Sequence, residues 1–350
     1  MHRLLALGTG LLVVSSCLLA GAAWRLAQGP IDLGGWSDRL KSALIDDAAS
    51  VRVSFDGVFL AWEGFSKGVD YPLDLRLSGV TITDPAGQRL IAAPGAHLTF
   101  SLAGLLLGRF VPRAIEVDHA QIAVTRAVGG AINLGGDLAG VDTSGSGTID
   151  LRQIQDQLAH PASGDRGRTR GLFDQLRRVH FRNTEVALRD QQSGLVIRTQ
   201  DMDLDLVRAR TGRIRGLLRA PLSIGNQQTS LSAQADWALG SGVTLDTQLT
   251  ALRPAEVGAI PQALAFLTGI DAPVALATTI GLDAGFRPNQ IRTHIQVGQG
   301  RILVGQGSVP VRSADITASG KPGEITVSKG HFDVAHTPEG RPELIDIGGT

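Results

Sequence analysis

The residues best suited to chemistry in this 350-residue sequence are few and scattered. The tightest histidine group is His331, Asp333 and His336 in "HFDVAH". Side chains two apart on a strand share a face and could ligate a metal together, but His336 falls on the other parity and no third strong ligand is near. The segment reads as a decorated strand and turn. Asp201, Asp203 and Asp205 begin like a calcium loop, which needs glycine next and glutamate at its twelfth position. Leu206 and Gly212 stand in those places instead. Alternation with Met202, Leu204 and Leu206 makes the three aspartates the wet side of a strand.

Five arginines, Arg166, Arg168, Arg170, Arg177 and Arg178, crowd "RGRTRGLFDQLRR" and could meet phosphates or lipid head groups. A solvated loop and helix face explains them more simply. "GQGRILVGQG" (298–307) approaches a dinucleotide-binding fingerprint, but Leu303 occupies the third glycine's place and strands flank it on both sides. Asp46 and Asp47 sit together at a helix end and read as solvated. A phosphate loop and H-E-x-x-H are missing from the sequence. The expectation is a protein that is not an enzyme, with no catalytic, cofactor or metal site.

The elements that would have to position such groups are mostly strands. In "PLDLRLSGVTITDPAGQRL" (72–90), Leu73, Leu75 and Leu77 alternate with Asp74, Arg76 and Ser78. Gly79 shifts the phase, Val80 and Ile82 resume it, and Asp84-Pro85-Ala86-Gly87 turns the chain: a strand, a bulge, a strand and a β-turn. Val51, Val53 and Phe55 alternate before it; Leu98, Phe100 and Leu102 follow it. Ile115 with Val117 and Ile122 with Val124 form a strand pair about Asp118-His119. Later strands carry Val186 and Leu188; Met202, Leu204 and Leu206; Leu231, Ala233, Ala235 and Trp237; Val243 and Leu245; Ile291, Ile295 and Val297; Ile302; Ile316; Ile325 and Val327; Phe332 and Val334. Short helices are expected after Ser37, in "SLAGLLLGRF" (101–110), in "IDLRQIQDQLAH", in "GLFDQLRRV" and, broken by Pro261, over 253–269. Loops are expected over 129–149 and 160–170.

Short turns between strands favour antiparallel pairing, and clean alternation puts one sheet face away from water. A sandwich, a closed barrel, or an open twisted groove with a lipid-covered lining would each satisfy it. The fold class is therefore mostly β with short helices, read as an elongated, twisted antiparallel β-sheet groove behind one N-terminal transmembrane helix. The chain ends on "IDIGGT" in mid-pattern, as if it were the front part of something longer.

Lysine plus arginine (33) balance aspartate plus glutamate (33), and aromatics make up 4%. Neither an electrostatic footprint nor stacking platforms for nucleic acid are present, so nucleic acid is not an expected partner. Cys17 is the one cysteine, so no disulfide forms within the chain. Leu4 to Trp24 carries no charge and lies between Arg3 and Arg25. Its length, about 32 Å as a helix, suits a hydrocarbon core of about 30 Å. Residues 1–3 are expected in the cytoplasm, 4–24 as a signal anchor in the inner membrane, and 25–350 in the periplasm. Two rivals are a cleaved signal ending at Ala20-Gly21-Ala22 and a lipoprotein box at Val14-Ser15-Ser16-Cys17. Both still place the bulk of the chain outside the cytoplasm.

The order of features then resembles a known family. A signal anchor leads into "RLAQGPIDLGG", followed by "LSGVTITDPAGQRLIAAPGAHLTFSLAGLLLGRFVPRAIEVDHAQIAV", the pair "RVHFRNTEVALRDQQSGL", the segment "LRPAEVGAIPQALAFLTGIDAPV" and "GQGSVPVRSADITASGKPGEITVSKGHFDV". Together they resemble the AsmA-like superfamily of Gram-negative envelope proteins, most of all its YhdP-like branch, with TamB a more distant relative. The resemblance implies an inner-membrane anchor and a periplasmic β-groove carrying phospholipid toward the outer membrane, with outer-membrane or periplasmic proteins as further partners. The branch's C-terminal region, which meets the outer membrane, has no counterpart here, and the family carries no site residues to transfer. The lining expected from alternation is Leu73, Leu75, Leu77, Leu98, Phe100, Ile115, Val117, Val186, Leu188, Leu204, Leu206, Val243, Leu245, Ile295, Val297, Ile325 and Val327. An acyl chain gains about 0.8 kcal/mol per buried CH₂ against such a wall. The main rival is an assembly factor binding client proteins by strand addition at a sheet edge; an extracytoplasmic hydrolase is the third reading.

Overall fold

The structure is a computed structural model. It describes residues 28–36, 52–62, 73–84, 87–100, 112–128, 132–135, 176–209, 211–238, 242–257, 268–283, 287–304, 307–321, 324–334 and 344–346, together with Gly21 and Arg25. The expected anchor over 4–24, the helices after Ser37, over 101–110 and over 151–158, residues 171–175 and nearly all of both expected loops lie outside the described residues. No helix among the described residues is long and apolar enough to cross a membrane. The described helical structure includes two 3₁₀ turns, Gly34–Trp36 and Pro254–Glu256.

Everything else regular is β, and pairings join it into one large mixed sheet. The first half contains β1 (Ile31–Asp32), β2 (Arg52–Ser54), β3 (Gly57–Trp62), β4 (Leu73–Thr83), β5 (Arg89–Phe100), β6 (Pro112–Asp118), β7 (Gln121–Arg126) and β8 (Ile132–Leu134). The second contains β9 (Arg178–Asp190), β10 (Val196–Arg208), β11 (Ile214–Ile224), β12 (Gln227–Ala238), β13 (Gly242–Leu252), β14 (Ile270–Asp271), β15 (Val274–Leu282), β16 (Pro288–Val297), β17 (Gly300–Val304), β18 (Gly307–Lys321), β19 (Glu324–Val334) and β20 (Leu344–Asp346).

Register shows that several of these are halves of one rung. β2 and β3 both pair with β4 in unbroken register, Val53 opposite Ile82 and Val58 opposite Leu77, with Phe55-Asp56 interrupting. β6 and β7 likewise continue one another along β5, Ala96 facing Val117 and Ile91 facing Ile122. The strand pair expected about Asp118-His119 is therefore one kinked strand, not a hairpin. His119 takes φ +53, which bends the chain without reversing it.

The sheet runs β2/β3–β4–β5–β6/β7–β9–β10–β11–β12–β13–β15–β16–β18–β19, with β1, β8, β14, β17 and β20 as short additions. Among the described residues no pairing joins β19 or β20 back to β1, β2 or β3, so the ladder does not close. All neighbours are antiparallel except one junction: β9 lies parallel to both β6 and β7. The purely antiparallel expectation fails there because the connection from β8 to β9 is long. A long crossover can return a strand in either sense, whereas a tight turn can only reverse it. The helix expected in "GLFDQLRRV" also gives way at its end, since Arg178 and Val179 already belong to β9.

Turn chemistry matches the residues. The Asp84 carbonyl accepts the Gly87 N–H at 3.0 Å, and Asp84 Oδ1 accepts the Gln88 N–H at 2.7 Å. Gly225, at φ +59, opens the two-residue turn joining Ile224 to its partner Gln227, a place where only glycine is unstrained. Asp190 Oδ1 accepts the Gln192 N–H and Oδ2 the Ser193 hydroxyl, closing the turn before β10. Burial works against the charged form of Asp190, but hydrogen bonds from Ser193 and Gln192 and the nearby Arg126 outweigh it and hold its carboxyl below the usual value.

A crease crosses the first half at one level. Phe55-Asp56, Gly79 (φ +60), His119 (φ +53), Asn183 (φ +46) and the register shifts of β10 between Thr199 and Leu204 fall on five of the six rungs from β2/β3 to β10, with β5 passing through in register. Register is kept through the kinks of β4, β6/β7 and β9 and shifts only in β10, so the bends come from single left-handed residues set side by side and from one bulged strand. Non-glycine residues at positive φ cost free energy that asparagine tolerates and β-branched residues do not. Asn183→Gly should therefore be neutral or stabilising, and Asn183→Val should cost about 1–3 kcal/mol in chemical denaturation. Equal stability of the two variants would mean that the crease stores no strain.

Candidate functional site: an apolar face crossing the sheet

Residues directly opposite in a ladder share a face, so register shows what each face presents. One row starts Leu60–Leu75–Leu98–Ile115–Val179–Leu206 across β3, β4, β5, β6, β9 and β10. It continues Gly216–Ala235–Leu245–Ile280–Ile291–Gly320–Ile325 across β11 to β19. Twelve steps of about 4.8 Å carry it over roughly 58 Å. No charged or hydrogen-bonding side chain interrupts it.

The next row is Val58–Leu77–Ala96–Val117–Phe181–Leu204–Leu218–Ala233, after which Thr247, Thr278 and Thr293 precede Ala318 and Val327. A third row, Ala220–Leu231–Leu249–Leu276–Ile295–Ile316, serves the second half. The expected lining residues Val186 and Leu188 lie beyond the crease, in ladders through Ile122 and through Val124 and Ile197.

The other face is mostly polar, with Val207 and Leu217 exposed on it. Arg76, His97, Glu116, His180 and Asp205 succeed one another across β4, β5, β6, β9 and β10. Arg178 grips Asp205 with two hydrogen bonds, Nε to Oδ1 at 2.8 Å and Nη2 to Oδ2 at 3.0 Å. Asp203 accepts the Asn183 N–H at 3.3 Å. Asp201, Asp203 and Asp205 thus serve the wet side of β10, as their alternation predicts. Among the described residues no group of three histidine, cysteine, aspartate or glutamate side chains is placed to hold a metal ion. Within "GQGRILVGQG", Gly300–Val304 form β17, Gly300 pairing with Val311, and Gly307 begins β18.

Burial divides the apolar face into sealed patches and an open stretch. Leu75, Leu77, Leu98 and Phe100 are buried with Phe55, Ala96 and Val58, the last 0% exposed. Leu33, Leu60, Ile115 and Val117 pack around them, Leu33 held by its N–H to the Val58 carbonyl at 2.8 Å. A second patch seats Val257, just past the 3₁₀ turn, on Ala220, Leu222 and Ile224. The third gathers Val297, Ala272, Val311 and Ala314, with Ile295 against it.

Between these patches Leu204, Leu206, Leu218, Ala235, Leu245, Ile280 and Ile291 are only half-buried, as are Val243, Val186 and Leu188. At the far rim Ile325 is 59% and Val327 42% exposed. Leu73 pairs with Phe100 by backbone register. The expected lining residues therefore fall into three environments: sealed core, half-covered wall and exposed rim.

Two strands that line the open stretch are missing from the sequence expectation. β11 ("IRGLLRAPLSI") has its alternation disguised by Gly216, Leu217 and Pro221. In β15 ("VALATTIGL") the wet side is Ala275, Ala277, Thr279 and Gly281, small enough to blur the contrast on which periodicity depends. The overlooked wall residues Leu218 and Ile280 sit in them. Comparisons with family models, with curated proteins and with solved structures return no match.

Proposed function

We propose that this chain guides phospholipids along the aliphatic face of its sheet, from an inner-membrane anchor at 4–24 through the periplasm toward the outer membrane, in support of outer-membrane lipid homeostasis. One observation carries the reading. A row of aliphatic side chains and two glycines crosses a sheet that no pairing closes among the described residues. Its central members Leu206, Ala235, Leu245, Ile280 and Ile291 are half-covered and belong to none of the three buried clusters, the second of which lies beside them on β11. Half-covered leucine and isoleucine in an unbroken row are costly in water, at about 25 cal/mol per Å² of apolar surface left exposed. Acyl chains offset that cost, each CH₂ contributing about 0.8 kcal/mol. The wall from Leu206 to Ile291 offers no ion pair or metal to hold a cargo at one point, which suits passage better than capture. A sheet curved about that face would form an elongated, twisted groove. The resemblance to the AsmA-like superfamily agrees with this reading.

The test is lipidomics of the full-length protein purified in detergent and then transferred to lipid-free amphipol. Phospholipid retained at one or more molecules per chain supports the reading, and a lipid-free chain defeats it. A second reading, client binding by strand addition, draws on β19. Residues 331–333 pair with β20, whereas 324–330 carry no partner on that edge among the described residues. Binding of an extended peptide without any lipid would favour it.

A further inference from the structure

On the polar side of the sealed patch, His97 stands between two carboxylates from different strands. Its Nδ1 lies 3.0 Å from Oδ2 of Asp74 on β4. Its Nε2 lies 3.6 Å from Oδ2 of Asp118 on β6. Asp74 is 4% exposed, and its other oxygen, Oδ1, has no hydrogen-bond partner. A buried carboxylate so placed depends on the donors that remain, and these are His97 and Arg76, whose Nε is 3.2 Å away.

The charges facing the imidazole come from each neighbouring strand: Asp74 and Arg76 on β4, Glu116 and Asp118 on β6. Arg182 on β9 pairs with Glu116 at 3.6 Å and donates from Nε to His180 Nδ1 at 3.3 Å, and His180 stands opposite Glu116 in register. Three carboxylates thus meet two guanidinium groups, with His180 as a second imidazole beside Glu116. With neutral His97 the cluster keeps one uncompensated negative charge, and with the imidazolium it balances. A neutral ring can donate from one nitrogen only and carries no charge to face Asp118; the imidazolium donates to Asp74 and sets its second N–H against Asp118 as an ion pair.

We propose that His97 is a pH-dependent clamp, which in its protonated form ties β4, β5 and β6 together behind the sealed apolar patch and releases them as it loses its proton. Ala96 and Leu98, its neighbours in β5, are buried on the opposite face, so the clamp holds the rung that supports that core. The hydrogen bond to Asp74 raises the pKa of His97 above its usual value; desolvation and Arg76 oppose this, while the charges of Asp74 and Asp118 reinforce it.

The sign follows from the direction. A group raised in the folded state stabilises fully below the unfolded value of about 6.5, and that stabilisation disappears as pH climbs through the folded value. Each unit of elevation is worth about a tenfold change in the local opening equilibrium.

Deuterium exchange at the imidazole C2 carbon, followed peptide by peptide on the full chain, titrates each histidine separately. His97 should titrate above 6.5, and Asp118→Asn, at a position about one-third exposed, should lower that value without unfolding the chain. Amide protection in β4, β5 and β6, corrected for intrinsic rates, should fall between pH 6 and pH 8.5 in the wild type and stay level in His97→Gln. A His97 midpoint at or below 6.5, or the same pH dependence in His97→Gln, overturns the proposal. Because Asp118→Asn leaves the buried Asp74 in place, an unfolded Asp74→Asn chain does not remove the test.

Discussion

With Leu245 replaced by arginine, the protein is expected to fold and to lose its acyl chains. Leu245 is half-buried between Ala235 and Ile280 in the open stretch, where the small Ala235 leaves room on one side for a longer side chain. An arginine stem can lie along the wall with its guanidinium reaching water, so the cost to folding is about 1 kcal/mol. The same guanidinium in the path of a hydrocarbon chain costs about 2.5–3.5 kcal/mol, which lowers occupancy on the order of 100-fold. Leu75→Arg is its contrast. Leu75 lies in the same row but is 4% exposed inside the sealed patch. A charge buried there without a partner costs about 3–5 kcal/mol, so the fold fails before lipid binding can be asked about. Phospholipid per chain and thermal melting, measured on both variants, separate the two fates. Wild-type lipid content in Leu245→Arg would end the transport reading. Equal melting of the two variants would show that the patch around Val58 is not closed.

The second large effect belongs to Gly79. Its φ of +60 lies where a side chain is strained, and a Cβ built on it would fall 1.9 Å from Asp56 Oδ2 and 2.6 Å from Asp56 Cγ. The exposed Asp56 carboxylate can rotate away, but its backbone is held by the N–H bond to the Ser78 carbonyl at 2.8 Å, which leaves its Cβ 3.2 Å from the added atom. Left-handed backbone costs about 1–2 kcal/mol in an ordinary residue and more with a branched one, and overpacking adds about 1–3 kcal/mol. Gly79→Val should therefore lose about 3 kcal/mol or more in denaturant unfolding. Gly79→Val made together with Asp56→Gly should recover the steric part and leave the backbone part. If the single and double variants are equally destabilised, the clash with Asp56 plays no part.

Much of this could be read from the residues. Leucine at 73, 75 and 77 against Asp74, Arg76 and Ser78 specifies both a strand and its dry side, since the side-chain period of a strand is two. Gly79 marks the shift of phase and Asp84 to Gly87 the turn, because each needs a backbone state few other residues adopt cheaply. The bulge expected at Gly79 is not there, since β4 runs as one strand from Leu73 to Thr83 with its register unbroken at that residue. Asp201, Asp203 and Asp205 read correctly as a wet face. Other elements were hidden. β11 and β15 lack contrast between their sides, and His119 gives no sign that it bends a strand and does not end one. The parallel junction of β9 with β6 and β7 depends on where a long connection returns, which local pattern does not encode.

By itself, then, the sequence determined a β protein with one apolar side, because alternation is a local property written into each strand. Only the tertiary structure decided what covers that side. Leu75 and Leu245 have the same chemistry and belong to the same row, yet one is sealed by Leu33, Phe55 and Val58 while the other is half-open. Burial is set by which distant segments come to rest on a strand, and no spacing within the strand records it.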